Sequence, residues 1–149
     1  MPDNPVGQQP PDVLAMVLAD SVLHEIASDK FYINGTYSVI FANDFPVVHH
    51  LLVVYLAITN GHGRSPIKVR LVDVDESREP IFEIESVIEF SDPLQVLETV
   101  FAARGVRFPE PGEYRLQVFG AGQFLRERRL QVIPAPGTEG HHAETERDQ

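Results

Sequence analysis

The chain of 149 residues contains no cysteine. That removes disulfides, thiolate zinc sites and cysteine nucleophiles together. It has no tryptophan and 4 tyrosines, so the aromatic faces on which sugars stack are scarce. Basic residues are few as well: 12 Lys and Arg stand against 22 Asp and Glu, for a formal charge of -10. Nucleic acid and anionic lipid are bound through basic surface, so neither is an expected partner. Long apolar runs are missing. The longest, residues 47–58, is interrupted by His49 and His50 and is too short to span a bilayer. The N-terminal stretch is rich in Pro, Gln and Asn, with neither a basic start nor an apolar centre, so it does not read as a signal peptide. These absences point to a cytoplasmic protein that does not enter a membrane.

What is present is ordinary for a globular domain. Hydrophobic residues make up 43% and charged residues 23%. The length suits one domain. Such a domain buries roughly two-thirds of its unfolded surface and needs no metal or disulfide to fold. Residues 1–11 read as a flexible leader. Residues 134–149, with Pro, Gly, His and acidic side chains but no large apolar one, read as a disordered acidic tail. The folded body is expected over residues 12–133.

That body reads as strands separated by turn residues. Residues 31–41 are rich in β-branched and aromatic side chains and read as one strand. Residues 51–58 are apolar at both parities, as in a central strand covered on both faces. Asn60-Gly61-His62-Gly63 then signals a turn. Ile67, Val69 and Leu71 alternate with Lys68 and Arg70, and Phe82, Ile84, Ile88 and Phe90 with Glu83, Glu85 and Glu89. Tyr114, Leu116 and Val118 alternate with Arg115 and Gln117 before Gly120-Ala121-Gly122. Turn signals about every ten residues predict an all-β sandwich of about seven to nine strands. Three places are ambiguous. Residues 13–22 fit a hairpin strand or a helix, and residues 94–104 a strand or a short helix. Arg126 and Arg128 share the parity of Leu130 and Val132, so either that end projects beyond the sandwich or a bulge flips the phase.

The segment Phe108-Pro109-Glu110-Pro111-Gly112-Glu113-Tyr114 has the form of a tyrosine corner. In that device a Tyr near a strand start folds back and its hydroxyl bonds backbone a few residues upstream. Pro109 and Pro111 stiffen the loop, and Gly112 is expected to permit a tight approach. The stretch 100–118 is similar to the E–F corner of immunoglobulin-like and fibronectin type III domains. More broadly, the chain resembles an uncharacterised bacterial family of this length. The resemblance lies in Leu18-Ala19-Asp20, Asp29-Lys30, Ile33-Asn34-Gly35, Phe45-Pro46, Thr59-Asn60-Gly61-His62-Gly63 and the Phe108 to Tyr114 segment, and covers most of residues 13–132. It implies an immunoglobulin-like Greek-key sandwich and brings no catalytic residues.

No catalytic motif stands out. There is no Gly-x-Ser-x-Gly elbow, P-loop or dinucleotide fingerprint. His49 and His50 point to opposite faces of a strand and cannot easily share an ion, and His141 and His142 fall in the tail. Asp73, Asp75, Glu76 and Glu79, with Asp44 and Asp92 elsewhere, read as solvated loop residues rather than a calcium site. Asp20 interrupts an apolar run and is expected to face solvent or to pair with Lys30 across the hairpin. No cofactor or metal is expected. The leading reading is a non-catalytic interaction or structural module that binds a protein partner or forms a homodimer, with Phe119 and Phe124 as the candidate docking residues. The alternative is a small-ligand or carbohydrate binder using end loops. An enzyme ranks third, and gains weight only if a pocket joins His49 or His62 to a carboxylate.

Overall fold

The computed structural model describes residues 10–75 and 78–136. These form nine strands and no helix: β1 (Asp12–Glu25), β2 (Lys30–Thr36), β3 (Val39–Ala42), β4 (Val47–Thr59), β5 (Gly63–Asp73), β6 (Phe82–Phe90), β7 (Leu97–Phe108), β8 (Gly112–Gly120) and β9 (Gln123–Pro134). One sheet has the order β2-β1-β4-β7 and the other β3-β9-β8-β5-β6. The sheets pack face to face through the inward residues of β4, β5, β8 and β9. Among these are Leu52, Val54, Leu56, Ile67, Val69, Leu71, Leu116, Val118, Leu130 and Val132.

Both helical alternatives give way to strands. β1 and β2 form an antiparallel hairpin from Glu25↔Lys30 to Ala19↔Thr36. β7 runs antiparallel to β4 from Leu97 to Phe108. In each case a neighbouring strand pairs with the segment, and tertiary pairing overrides an apolar spacing that also suited a helix. The single strand expected over residues 31–41 is instead two. Tyr37 N still donates to Leu18 O in the first sheet (3.2 Å), whereas Ser38 O accepts from Gln131 N in the second (3.0 Å). The chain therefore changes sheets between two adjacent residues, and β3 runs parallel to the end of β9.

β4 is buried at both parities, as its composition predicts. Leu52, Val54, Leu56 and Ile58 face the core, while Val53, Tyr55 and Ala57 are buried on the outer face of the sheet. The Phe31 ring lies against Tyr55 with centroids 5.9 Å apart. The Tyr55 hydroxyl donates to Glu98. Desolvation, reinforced by that carboxylate, raises the Tyr55 pKa to about 12.

Phe108 and Tyr114 close one end of the core. Both are fully buried, with rings edge to face at 5.0 Å, and the Tyr114 hydroxyl donates to Glu110 O at 2.6 Å. Pro109 is half-buried and Pro111 exposed. Gly112 serves a different need from the expected close approach. A Cβ there would meet nothing within 4 Å, but its φ is +152°, a backbone state that side chains resist.

Packing extends slightly beyond residues 12–133: Pro11 is buried and Ala135 N donates to Ala42 O at 2.8 Å. The rest of the expected leader and tail, residues 1–9 and 137–149 with His141 and His142, lies outside the described residues, as does Glu76. No helix of the described residues is long and apolar enough to cross a membrane.

Candidate functional site

Three features on the surface bring functional groups together. The first is the aromatic pair expected to dock a partner. Phe119 on β8 and Phe124 on β9 are paired residues across the final hairpin, with rings edge to face at 5.7 Å. Phe119 is half-buried rather than open. Lys68 Nζ and the Arg70 guanidinium, from neighbouring β5, lie 5.1 Å and 5.0 Å from its ring centroid, a favourable placement of cations on a π face. Lys68 also pairs with Glu83 at 3.1 Å, and Arg70 Nε donates to Gln117 Oε1 at 2.8 Å. Phe124 is 54% exposed and carries the apolar surface of the pair.

The second feature is a cleft of about 680 Å³ along the flank of the sandwich, lined by Met16, Ser38, Val39, residues 126–129 and Gln131. Its origin explains the ambiguous parity of the last strand. The β8–β9 register passes from Phe119↔Phe124 to Val118↔Arg126, leaving Leu125 as an extra residue. The bulge lets half-buried Leu125 pack against the core and then sets Arg126 and Arg128 on the inward parity. There they border an opening between the sheets, not the packed interior. Arg128 bridges the two layers: Nη1 donates to Met16 O at 3.1 Å and Nη2 to Ser38 Oγ at 2.8 Å.

The third feature is a notch of about 350 Å³ that includes Asp20, Gly35, Tyr37, Phe41 and His49. Asp20 lies opposite Gly35, not Lys30, which pairs with Glu25. Of the two expectations for Asp20, pairing with Lys30 fails by five positions of register and the solvent-facing position is the one observed. Asp20 is exposed. A Cβ on Gly35 would come within 2.5 Å of Asp20 Oδ2, the end of an exposed side chain, and the φ there is +71°, the backbone state that favours glycine. Tyr37 Oη and His49 Nε2 lie 3.3 Å apart. Burial raises the Tyr37 pKa to about 12, with the Asp20 charge adding to the rise. Desolvation lowers that of His49, against the opposing pull of Asp20.

The remaining candidates disperse. His50 is exposed. Asp73 Oδ1 accepts from Asp75 N at 2.9 Å, and Asp92 Oδ1 from Leu94 N at 3.0 Å, so both carboxylates order their own turns. Among the described residues no three His, Asp or Glu side chains converge to hold a metal ion. Tyr55 and Tyr114 are buried and Tyr37 half-buried, which leaves Tyr32 as the exposed tyrosine.

These strands and sheets define an all-β, two-sheet sandwich. Within that class, the chain belongs to DUF6941, a family of unknown function, which it matches over residues 14–133. No curated protein matches it. Among solved structures it is similar to the beta-glucosidase from Listeria innocua in complex with isofagomine, at 14% identity and a TM-score of 0.45 over 81% of this chain and 16% of that one. It is also similar to the beta-glucosidase from Kluyveromyces marxianus, at 15% identity and a TM-score of 0.41 over 66% of this chain and 15% of that one. The chain thus spans a small part of those enzymes' length, and a likeness this loose carries no argument about activity.

Proposed function

We propose that the chain is a non-catalytic, immunoglobulin-like interaction module that binds a protein partner through the surface around Phe119 and Phe124. The fold supports the immunoglobulin-like reading. β1-β4-β7 face β6-β5-β8-β9, a short strand runs parallel to the last one, and the Tyr114–Glu110 bond has the form of a tyrosine corner. The observation that carries the interaction reading is Phe124, a large aromatic 54% exposed and seated on a second aromatic that two cations hold in place. Rigid aromatics with nearby cations are the residues that anchor protein interfaces. The notch joins His49 to Asp20 in one lining, as an enzyme would require. The His49 Nε2 lies 3.3 Å from the Tyr37 hydroxyl, whose pKa, raised by burial to about 12, keeps it neutral near neutral pH.

The test is a matched capture from native lysate with the wild-type chain and Phe124→Glu, alongside light scattering of both. Phe124 is largely solvated, so the variant should melt within a few degrees of wild type. A partner held by wild type and lost by the variant is the expected result. A concentration-dependent dimer abolished by the variant would make the partner a second copy. Identical captures by the two proteins, with both monomeric, would sink the proposal.

A further inference from the structure

β9 is paired unequally on its two edges. β8 pairs with it from Gln123 to Val132, whereas β3 covers the other edge only from Gln131 to Pro134. Gln131 N donates to Ser38 O, so its backbone faces the β3 side. The two-residue repeat of a strand places Arg129 and Glu127 on that same edge. Neither has a strand partner there among the described residues. Such a row of open donors and acceptors is a template for another strand.

The surroundings select what is added. Arg126, Arg128 and Arg129 crowd this stretch of a chain whose formal charge is -10. The one carboxylate among them, Glu127, already accepts from Arg115 and Gln117. Arg126 and Arg129 are exposed and enter no ion pair among the described residues. Across the flank cleft stands β1, whose pairing with β2 starts only at Ala19 and whose Met16 carbonyl is held by Arg128.

We propose that residues 125–130 of β9 form a docking edge for an extended, acidic segment of a partner protein, which adds as a strand in line with β3 and sets carboxylates beside Arg126 and Arg129. Main-chain bonds supply the binding and the arginines select the charge. Self-pairing is disfavoured, because two β9 edges would bring three arginines against three. The inference rests on the interaction-module reading but not on the Phe124 surface.

The test uses the full chain and three synthetic probes: a short Val-rich peptide with two Glu three residues apart, so that one carboxylate falls on each face of the strand as Arg126 and Arg129 do, its counterpart with Lys for Glu, and the Glu peptide N-methylated at alternate positions. The Glu peptide should slow amide exchange at Glu127 and Arg129 by about tenfold or more, and binding should weaken with added salt. The Arg126→Ala/Arg129→Ala variant should bind about tenfold more weakly with an unchanged melting temperature. Equal protection by the Lys peptide, equal binding of the methylated one, or no protection at saturation would each overturn the proposal. So would amides already slow in the free chain, which would mean another segment of the chain fills the edge. Failure here with Phe124-dependent capture intact removes the edge site alone. Protection here with capture indifferent to Phe124 sustains the edge and removes the aromatic surface.

Discussion

The two halves of β9 are built from one continuous strand yet behave as different materials. Downstream, Leu130 and Val132 are fully buried, β3 lies on one side and β8 on the other, and the strand is core. Upstream, past Leu130 toward the hairpin, the same inward parity carries Arg128 and Arg126, and the outer edge has no strand beside it among the described residues. One added residue, Leu125, and one short neighbour, β3, make the difference. Whether a strand is core or open edge depends here on what lies beside it, more than on its own propensity.

That contrast can be broken in stages. The largest effect is expected from Leu130→Ala, which removes a fully buried side chain and should cost about 2–5 kcal/mol in urea denaturation. Leu125→Ala, half-buried on the upstream side, should cost clearly less; equal costs would erase the distinction between the halves. Next is Arg128→Met, which keeps a long apolar stem but loses the bonds to Met16 O and Ser38 Oγ. A loss of about 1–2 kcal/mol is expected, and no loss would show that the flank needs no bridge. The smallest effect concerns the notch, which shares Val39 with the cleft. Desolvation holds the His49 pKa below its ordinary 6.5, so the unfolded chain takes up this proton first as pH falls. Stability should therefore decline as pH drops below about 6.5 and level off only beneath the folded pKa. His49→Gln should flatten that part of the profile measured by urea midpoints; an unaltered slope would remove His49 from the account.

Sequence disclosed the features that depend on local alternation. β5, β6 and β8 follow from side chains that switch character at every residue, and the double burial of β4 from apolar residues at both parities. The crossing at Tyr37 and Ser38 stayed hidden, because residues 31–41 carry strand formers throughout and the break is set by partners far away, Leu18 and Gln131. The odd parity of Arg126 and Arg128 was visible, but choosing the bulge required the register against β8. Phe119 was readable as outward-facing, but not the two cations that cover it, which come from another strand. The open edge of β9 had no local mark at all. An edge is defined by a neighbour that stops short, and β3 stops short because it begins only at Val39, after the crossing at Tyr37 and Ser38, for reasons that lie outside β9.

The parallel contact between β3 and β9 has a further consequence, for the order in which the molecule can form. It joins the first third of the chain to its last strand. Closing so long a loop is entropically costly, and contacts of high sequence separation slow folding. During synthesis the hairpin β1–β2 and the β4–β7 pairing can assemble early, but β3 has no partner until β9 is made. A chain halted short of β9 would expose β8 and leave β3 unpaired, so β9, the last of the described strands in chain order, is also the one that closes the sandwich.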